Sequence, residues 1–166
     1  MLPKKYILPS ENDKHPNGFI LNPSAFYDFI ESNKLETKIQ HLLGAVYEEF
    51  KDSAKNVKNH ILNLILKSEF PQELLRNIIS EYKKLGNILE DKEVYVCFIN
   101  ETCNEEHKIK GDASLVHKIK EKWASIYFPN LPVGNPTIVI HKTSKTSKPE
   151  QEKALFIIKN FQWTSI

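Results

Sequence analysis

Six consecutive residues, Val94-Tyr-Val-Cys-Phe-Ile99, are apolar, aromatic or β-branched with no polar alternation. That is the pattern of an interior strand covered on both faces. The segments before it supply helical cover. Ile39, Leu42, Leu43, Val46 and Phe50 recur at steps of three and four, which gathers them onto one stripe of a helix. Val57, Ile61, Leu64 and Ile65 do the same from about Ser53 to Leu66, with Leu62 and Leu66 widening the face. A further helix opens at Pro71, where a missing N–H costs nothing, carries Leu74, Leu75, Ile78, Ile79, Tyr82 and Leu85, and stops at Gly86. Three consecutive helices thus precede the main strand.

Ahead of them, Phe19-Ile20-Leu21 reads as a short strand. Asn22-Pro23-Ser24 offers capping groups to a helix with Phe26, Phe29 and Ile30 on one face. Residues 1–17 contain prolines at 3, 9 and 16 and no apolar period, so they are expected to form an extended arm, with a single domain over 18–166. Beyond the apolar strand, Asp112 is expected to cap a helix bearing Leu115, Val116, Ile119, Trp123 and Ile126. Pro129, Pro132 and Pro136 then delay regular structure until the strand Thr137-Ile-Val-Ile140. Ala154-Leu-Phe-Ile-Ile158 is expected to pair with that strand across a lysine-bearing hairpin loop. The fold class is α/β in the α+β sense, a helical segment followed by a small mixed or antiparallel sheet.

With 166 residues the chain is sized for one core. No apolar run approaches the roughly 18 residues that span a bilayer, and the start breaks off before a signal-peptide core could form, so a cytoplasmic protein without membrane association is expected. The 23 basic and 21 acidic residues leave a net charge of +2, too small to imply nucleic-acid binding. Cys97 and Cys103 lie six positions apart, the first in the apolar strand, and the expectation is two thiols in a reducing compartment rather than a disulfide.

Five short segments in order, Pro16–Phe26, Phe70–Leu74, Gly111–Tyr127, Thr137–Lys142 and Ala154–Phe156, resemble the amino-terminal ATP-grasp region of the phosphoenolpyruvate synthase and pyruvate phosphate dikinase family. Pro16-Asn-Gly-Phe-Ile-Leu-Asn-Pro-Ser-Ala-Phe26 resembles the family's V-P-x-G-F-x-x-T-x-x-A-F opening. Phe70-Pro-Gln-Glu-Leu74 resembles the P-x-x-L helix that leads into its V-x-V-R-S-S strand. The most specific match is Gly111 with Leu115-Val-His-Lys-Ile-Lys-Glu-Lys-Trp-Ala-Ser-Ile-Tyr127, which resembles G-x-x-x-L-x-x-A-I-K-x-x-W-A-S-x-Y. Thr137-Ile-Val-Ile-His-Lys142 and Ala154-Leu-Phe156 are similar to the V-V-Q-K-M-V and G-V-x-F strands that follow. The resemblance implies the first lobe of an ATP-grasp fold from about Pro16 to Asn160, and ends where the family's second lobe would begin.

The resemblance also marks departures. Cys97 stands where the family has the arginine after V-x-V, and His141 where it has the strand glutamine. The glycine-rich A-S-F-A-G-Q segment is replaced by a direct passage from Asn104-Glu-Glu-His107 to Gly111, and no early G-G-K-G segment precedes Pro16. Phosphoryl transfer depends on cations and backbone donors preorganised around anionic oxygens, and a thiol has neither the forked donor set nor the charge of a guanidinium. The five glycines form no phosphate-cradling loop.

The expected activity of the chain alone is therefore none. It reads as a non-catalytic binding or regulatory module that docks a protein partner supplying the second lobe. No cofactor is expected, and ATP with magnesium enters only where nucleotide binding survives, through Cys97, His141 and Lys142. That is the alternative, a nucleotide-binding component of a phosphotransferase. A second alternative is a nucleic-acid module using Lys142, Lys145 and Lys148, for which a solvated hairpin tip is the simpler reading. Cys97, Cys103 and His107, with His117 or His141, contain zinc-type donors, but their spacing matches no standard finger. A buried thiol with surface histidines is the simpler reading, and the same holds against a cysteine nucleophile with His107 or His141 as base. Trp123 reads as core rather than a stacking platform, and the adjacent pairs Glu48–Glu49 and Glu105–Glu106 diverge too far for acid–base work.

Overall fold

The computed structural model describes residues 7–9, 18–48, 53–86, 89–99, 101, 103–127 and 135–142. Among these residues five strands and five α-helices follow one another as β1 (Ile7–Pro9), β2 (Gly18–Leu21), α1 (Pro23–Ser32), α2 (Leu35–Glu48), α3 (Ser53–Lys67), α4 (Gln72–Leu85), β3 (Glu93–Phe98), β4 (Lys108–Lys110), α5 (Asp112–Ser125) and β5 (Ile138–His141). The strands form one sheet in the order β1-β2-β5-β3-β4, antiparallel at every step. The protein is a mixed α/β fold in which the sheet is wholly antiparallel and its first two strands precede the helices rather than follow them.

One face of the sheet carries the core. Phe19 and Leu21 of β2, Val94, Val96 and Phe98 of β3, and Ile138 and Ile140 of β5 alternate along their strands and meet the apolar stripes of the helices in one cluster. Trp123 sits at its centre, fully buried, with its ring centroid 5.7, 5.3 and 5.7 Å from those of Phe26, Phe29 and Phe70. Its indole N–H donates to the Pro136 carbonyl at 3.3 Å, so Trp123 is core. Helices α2 and α3 extend the cluster through Leu35, Ile39, Val57, Ile61 and Ile65.

Local chemistry sets the element ends. The Asn22 carboxamide accepts from the Ser24 N–H at 3.0 Å and caps α1. At α5 the expected cap is displaced by one residue. Gly111 holds the cap position with φ of 98°, a left-handed conformation glycine adopts without a Cβ clash, and Asp112 begins the first turn. The Gly111 N–H donates to the Tyr82 hydroxyl at 2.8 Å, and that hydroxyl donates to the Lys92 carbonyl at 2.7 Å. One buried phenol thereby ties α4 to the approach of β3 and to the start of α5.

Part of the expected arm is strand, because Ile7–Pro9 pairs with Phe19–Leu21. The expected partner of β5 at Ala154–Ile158 lies outside the described residues, as do Phe50, Lys145 and Lys148. The described partners of β5 are β2 and β3.

Candidate functional site

The opposite face of the sheet gathers the residues with chemistry. Alternation that sends Val94, Val96 and Phe98 to the helices sends Tyr95 and Cys97 the other way. Antiparallel register sets Tyr95 opposite His141 and Cys97 opposite Val139. The Tyr95 and His141 rings stack with centroids 5.5 Å apart and planes 15° from parallel. Both residues are buried, at 2% and 8% exposure, so their ring faces are packing surfaces rather than an open platform. The Tyr95 hydroxyl donates to Glu105 Oε1 at 3.1 Å. Lys108 lies 3.2 Å from Glu93 and 3.7 Å from Glu105. Its hydrogen bond to Glu93, with the charges of both carboxylates, holds this half-buried side chain's ammonium above the usual lysine range.

The cysteines correct the sequence expectation. Cys97 and Cys103 form a disulfide with their Cα atoms 6.0 Å apart, inside the usual span of such bridges. The reason is a reversal at the end of β3. The Glu101 N–H donates to the Phe98 carbonyl at 3.0 Å, and the Glu101 carboxylate accepts from the Phe98 N–H at 3.0 Å. This turn lays Cys103 back over the outer face of the strand, where it meets Cys97. His141 joins them, with Nε2 3.4 Å from Cys103 Sγ, and the two sulfurs and an imidazole nitrogen all lie within 4.8 Å of one another.

The other histidines are placed elsewhere. His107 accepts the Asn104 N–H on Nδ1 at 3.1 Å and lies 2.9 Å from Glu101 Oε1 through Nε2, so both ring nitrogens serve the turn. His117, on α5, pairs with Glu121 at 2.6 Å. Glu101 also takes both bonds from Lys122, at 2.6 and 2.7 Å. Burial pushes the Glu101 carboxyl up, but Lys122, the Phe98 N–H and His107 together outweigh it and hold the carboxyl below its usual value. Of the residues singled out for nucleotide contact, Cys97 and His141 share the outer face, and Lys142 follows at the end of β5, half-buried. From sequence alone Tyr95 carries no role beyond the apolar strand, and Glu105 counts only as one of an adjacent acidic pair. Tyr95 was open to the alternation rule, since it stands two residues from Cys97 on the same face.

The chemistry of this face is that of a disulfide, an imidazole and a phenol. The Cys97 sulfur is 1% exposed and already bonded. Lys108, the nearest cation on β4, is engaged by two carboxylates.

Among the described residues no helix is long and apolar enough to cross a membrane. The sequence model of the pyruvate phosphate dikinase AMP/ATP-binding domain matches residues 6–97, from β1 to Cys97. A probable phosphoenolpyruvate synthase of Methanocaldococcus jannaschii is 25% identical over 127 residues, which cover 69% of this chain and 11% of that protein. With more than half of its length matched in this way, this chain belongs to the family of the pyruvate phosphate dikinase AMP/ATP-binding domain.

Proposed function

We propose that the chain is a non-catalytic member of this family, a binding or regulatory module that does not itself transfer phosphoryl groups. The observation that carries this reading is Cys97, buried and bonded to Cys103, at the position that the sequence resemblance gives to an arginine in the family. A half-cystine offers neither charge nor N–H donors to a developing metaphosphate, and electrostatic stabilisation is the main contribution a protein makes to that transition state. The test is release of phosphate or AMP from ATP by the purified chain with magnesium and pyruvate. The expected result is no turnover above buffer. Turnover that disappears in the His141→Ala, Lys142→Ala double variant would overturn the proposal.

A second reading, nucleotide binding without chemistry, is favoured by Lys142. It is half-buried directly beside His141, and one ammonium suits a single phosphate better than three. Calorimetric titration with AMP separates the two readings, because saturable heat lost in Lys142→Ala supports binding and flat traces leave a module that recognises something other than a nucleotide.

A further inference from the structure

The cluster on the outer face has a composition that the family's nucleotide chemistry does not call for. Two cysteine sulfurs and an imidazole nitrogen converge within 4.8 Å, and these are the donor types that bind zinc. We propose that, once the Cys97–Cys103 disulfide is reduced, Cys97 Sγ, Cys103 Sγ and His141 Nε2 bind one zinc-type divalent ion. The oxidised pair excludes that ion.

The geometry supports each donor. In a tetrahedral site with metal–sulfur and metal–nitrogen bonds of about 2.3 and 2.0 Å, a sulfur and a nitrogen ligand lie about 3.5 Å apart. Cys103 Sγ and His141 Nε2 already stand 3.4 Å apart. Two sulfur ligands in such a site lie about 3.8 Å apart, a separation that a Cα–Cα distance of 6.0 Å permits. Cys97 and His141 sit on adjacent paired strands, which fix their Cα positions. Cys103 lies between β3 and the 3-10 turn Glu105–His107, outside any regular element, so rotation of its side chain can part the sulfurs.

Donor chemistry sets the order of events. In the disulfide neither sulfur carries the thiolate charge that binds a metal. A dithiol reductant attacks one sulfur through its thiolate, passes through a mixed disulfide, and leaves as its own cyclic disulfide, so that two electrons and two protons pass to the Cys97–Cys103 pair. Metal binding then releases the two thiol protons, and neutral His141 supplies a nitrogen lone pair. His107 cannot complete the set, since its two ring nitrogens are engaged by Asn104 and Glu101. Among the described residues no further Cys, His, Asp or Glu joins the group, so within them the fourth position is left to water or to a ligand from outside, the arrangement of an open rather than a closed zinc site.

The inference stands apart from the nucleotide question, and its test does not use nucleotide. The whole chain, reduced with a phosphine and freed of metal, is titrated with cobalt(II) and followed by absorption. Expected are tetrahedral d–d bands with a sulfur-to-metal charge-transfer band that saturate at one equivalent, and their loss on adding zinc. The same chain left oxidised should show neither band, a comparison that involves no substitution. His141→Ala should weaken uptake by more than about 100-fold, beyond the roughly 10–100-fold cost of losing an outer-shell partner, and His117→Ala should leave it unchanged. Absence of stoichiometric uptake by the reduced chain overturns the site, as does undiminished affinity in His141→Ala. Equal uptake by the oxidised and reduced chains, or two free thiols titrating before any reductant is added, overturns the redox gate.

Discussion

Replacing Tyr82 with phenylalanine removes one oxygen atom and leaves the ring in place. That atom accepts from the Gly111 N–H at 2.8 Å and donates to the Lys92 carbonyl at 2.7 Å, on a residue 1% exposed. Each bond contributes about 1 kcal/mol net, and a partner left unsatisfied costs about 1–3 kcal/mol when fully buried. Lys92 is exposed and Gly111 half-buried, so water can reach both partners. The lower end of that range applies, and the loss should be about 2–3 kcal/mol. For a chain of this size that is a fall in Tm of about 4–12 °C. Burial, together with Asp91 and Asp112, raises the Tyr82 phenol above the usual tyrosine value of 10.0 despite the Gly111 bond, which lowers it. A group whose folded pKa is raised contributes stability that is complete below the unfolded value and is lost as pH rises through the folded one. The gap between Tyr82→Phe and the unmodified chain should hold from neutral pH to about 10 and narrow above it. Urea denaturation followed by far-UV circular dichroism measures the gap, with Tyr27→Phe as control because Tyr27 is 59% exposed. A change below about 0.5 kcal/mol at neutral pH, the range of ordinary surface substitutions, would refute the claim that this hydroxyl joins three elements.

Glu101→Gln should lower stability at pH 7 by about 1–2 kcal/mol, between the costs of surface and buried ion pairs, because Lys122 and His107 both lose their carboxylate. The folded Glu101 carboxyl is held below the usual glutamate value of 4.5, so its contribution is present above that pH and disappears as pH falls through the folded value. Acid titrations of the variant and the unmodified chain should therefore converge, and parallel curves would count against it. Gly18→Ala should cost at least about 1–3 kcal/mol as an overpacking change. A Cβ there would run into the Ile140 carbonyl and stand 2.9 Å from His141 Cα, and a melting temperature equal to that of the unmodified chain would show that β2 can move aside without loss.

The elements that carry their own period were legible in the sequence. Helices α1 to α5 and strands β2, β3 and β5 follow from stripes, caps and the apolar run, because each buries a face that its own residues define. Strands β1 and β4 were not legible. Ile7–Pro9 sits among prolines and polar residues, and Lys108-Ile-Lys110 offers one apolar side chain, so their conformation is set by the neighbouring strand rather than by local preference. The Cys97–Cys103 bond was missed for a related reason. Six residues of separation would keep two cysteines apart along a continuing strand, and the reversal that brings them together depends on Glu101 capping the end of β3 with its side chain. His141 could be named as a donor from sequence, but its place beside Cys103 depends on β5 pairing with β3, a contact between segments about forty residues apart.

The strand order has a consequence for how the chain comes to be folded. β5, at residues 138–141, is the last described strand, yet it lies between β2 at 18–21 and β3 at 93–98 and bonds to both. During synthesis the two halves of the sheet emerge with their adjoining edges unpaired and wait for the strand that joins them. Pairings so distant in sequence carry a high loop-closure cost and form slowly. A nascent chain halted after the family-matched segment ends at Cys97 would lack the central strand and leave β2 with one partner and β3 with none of its described ones. The stretch matched by the family is thus unable to close the described sheet, and until the last described strand arrives the edges of β2 and β3 that it covers stand open to pairing with other chains.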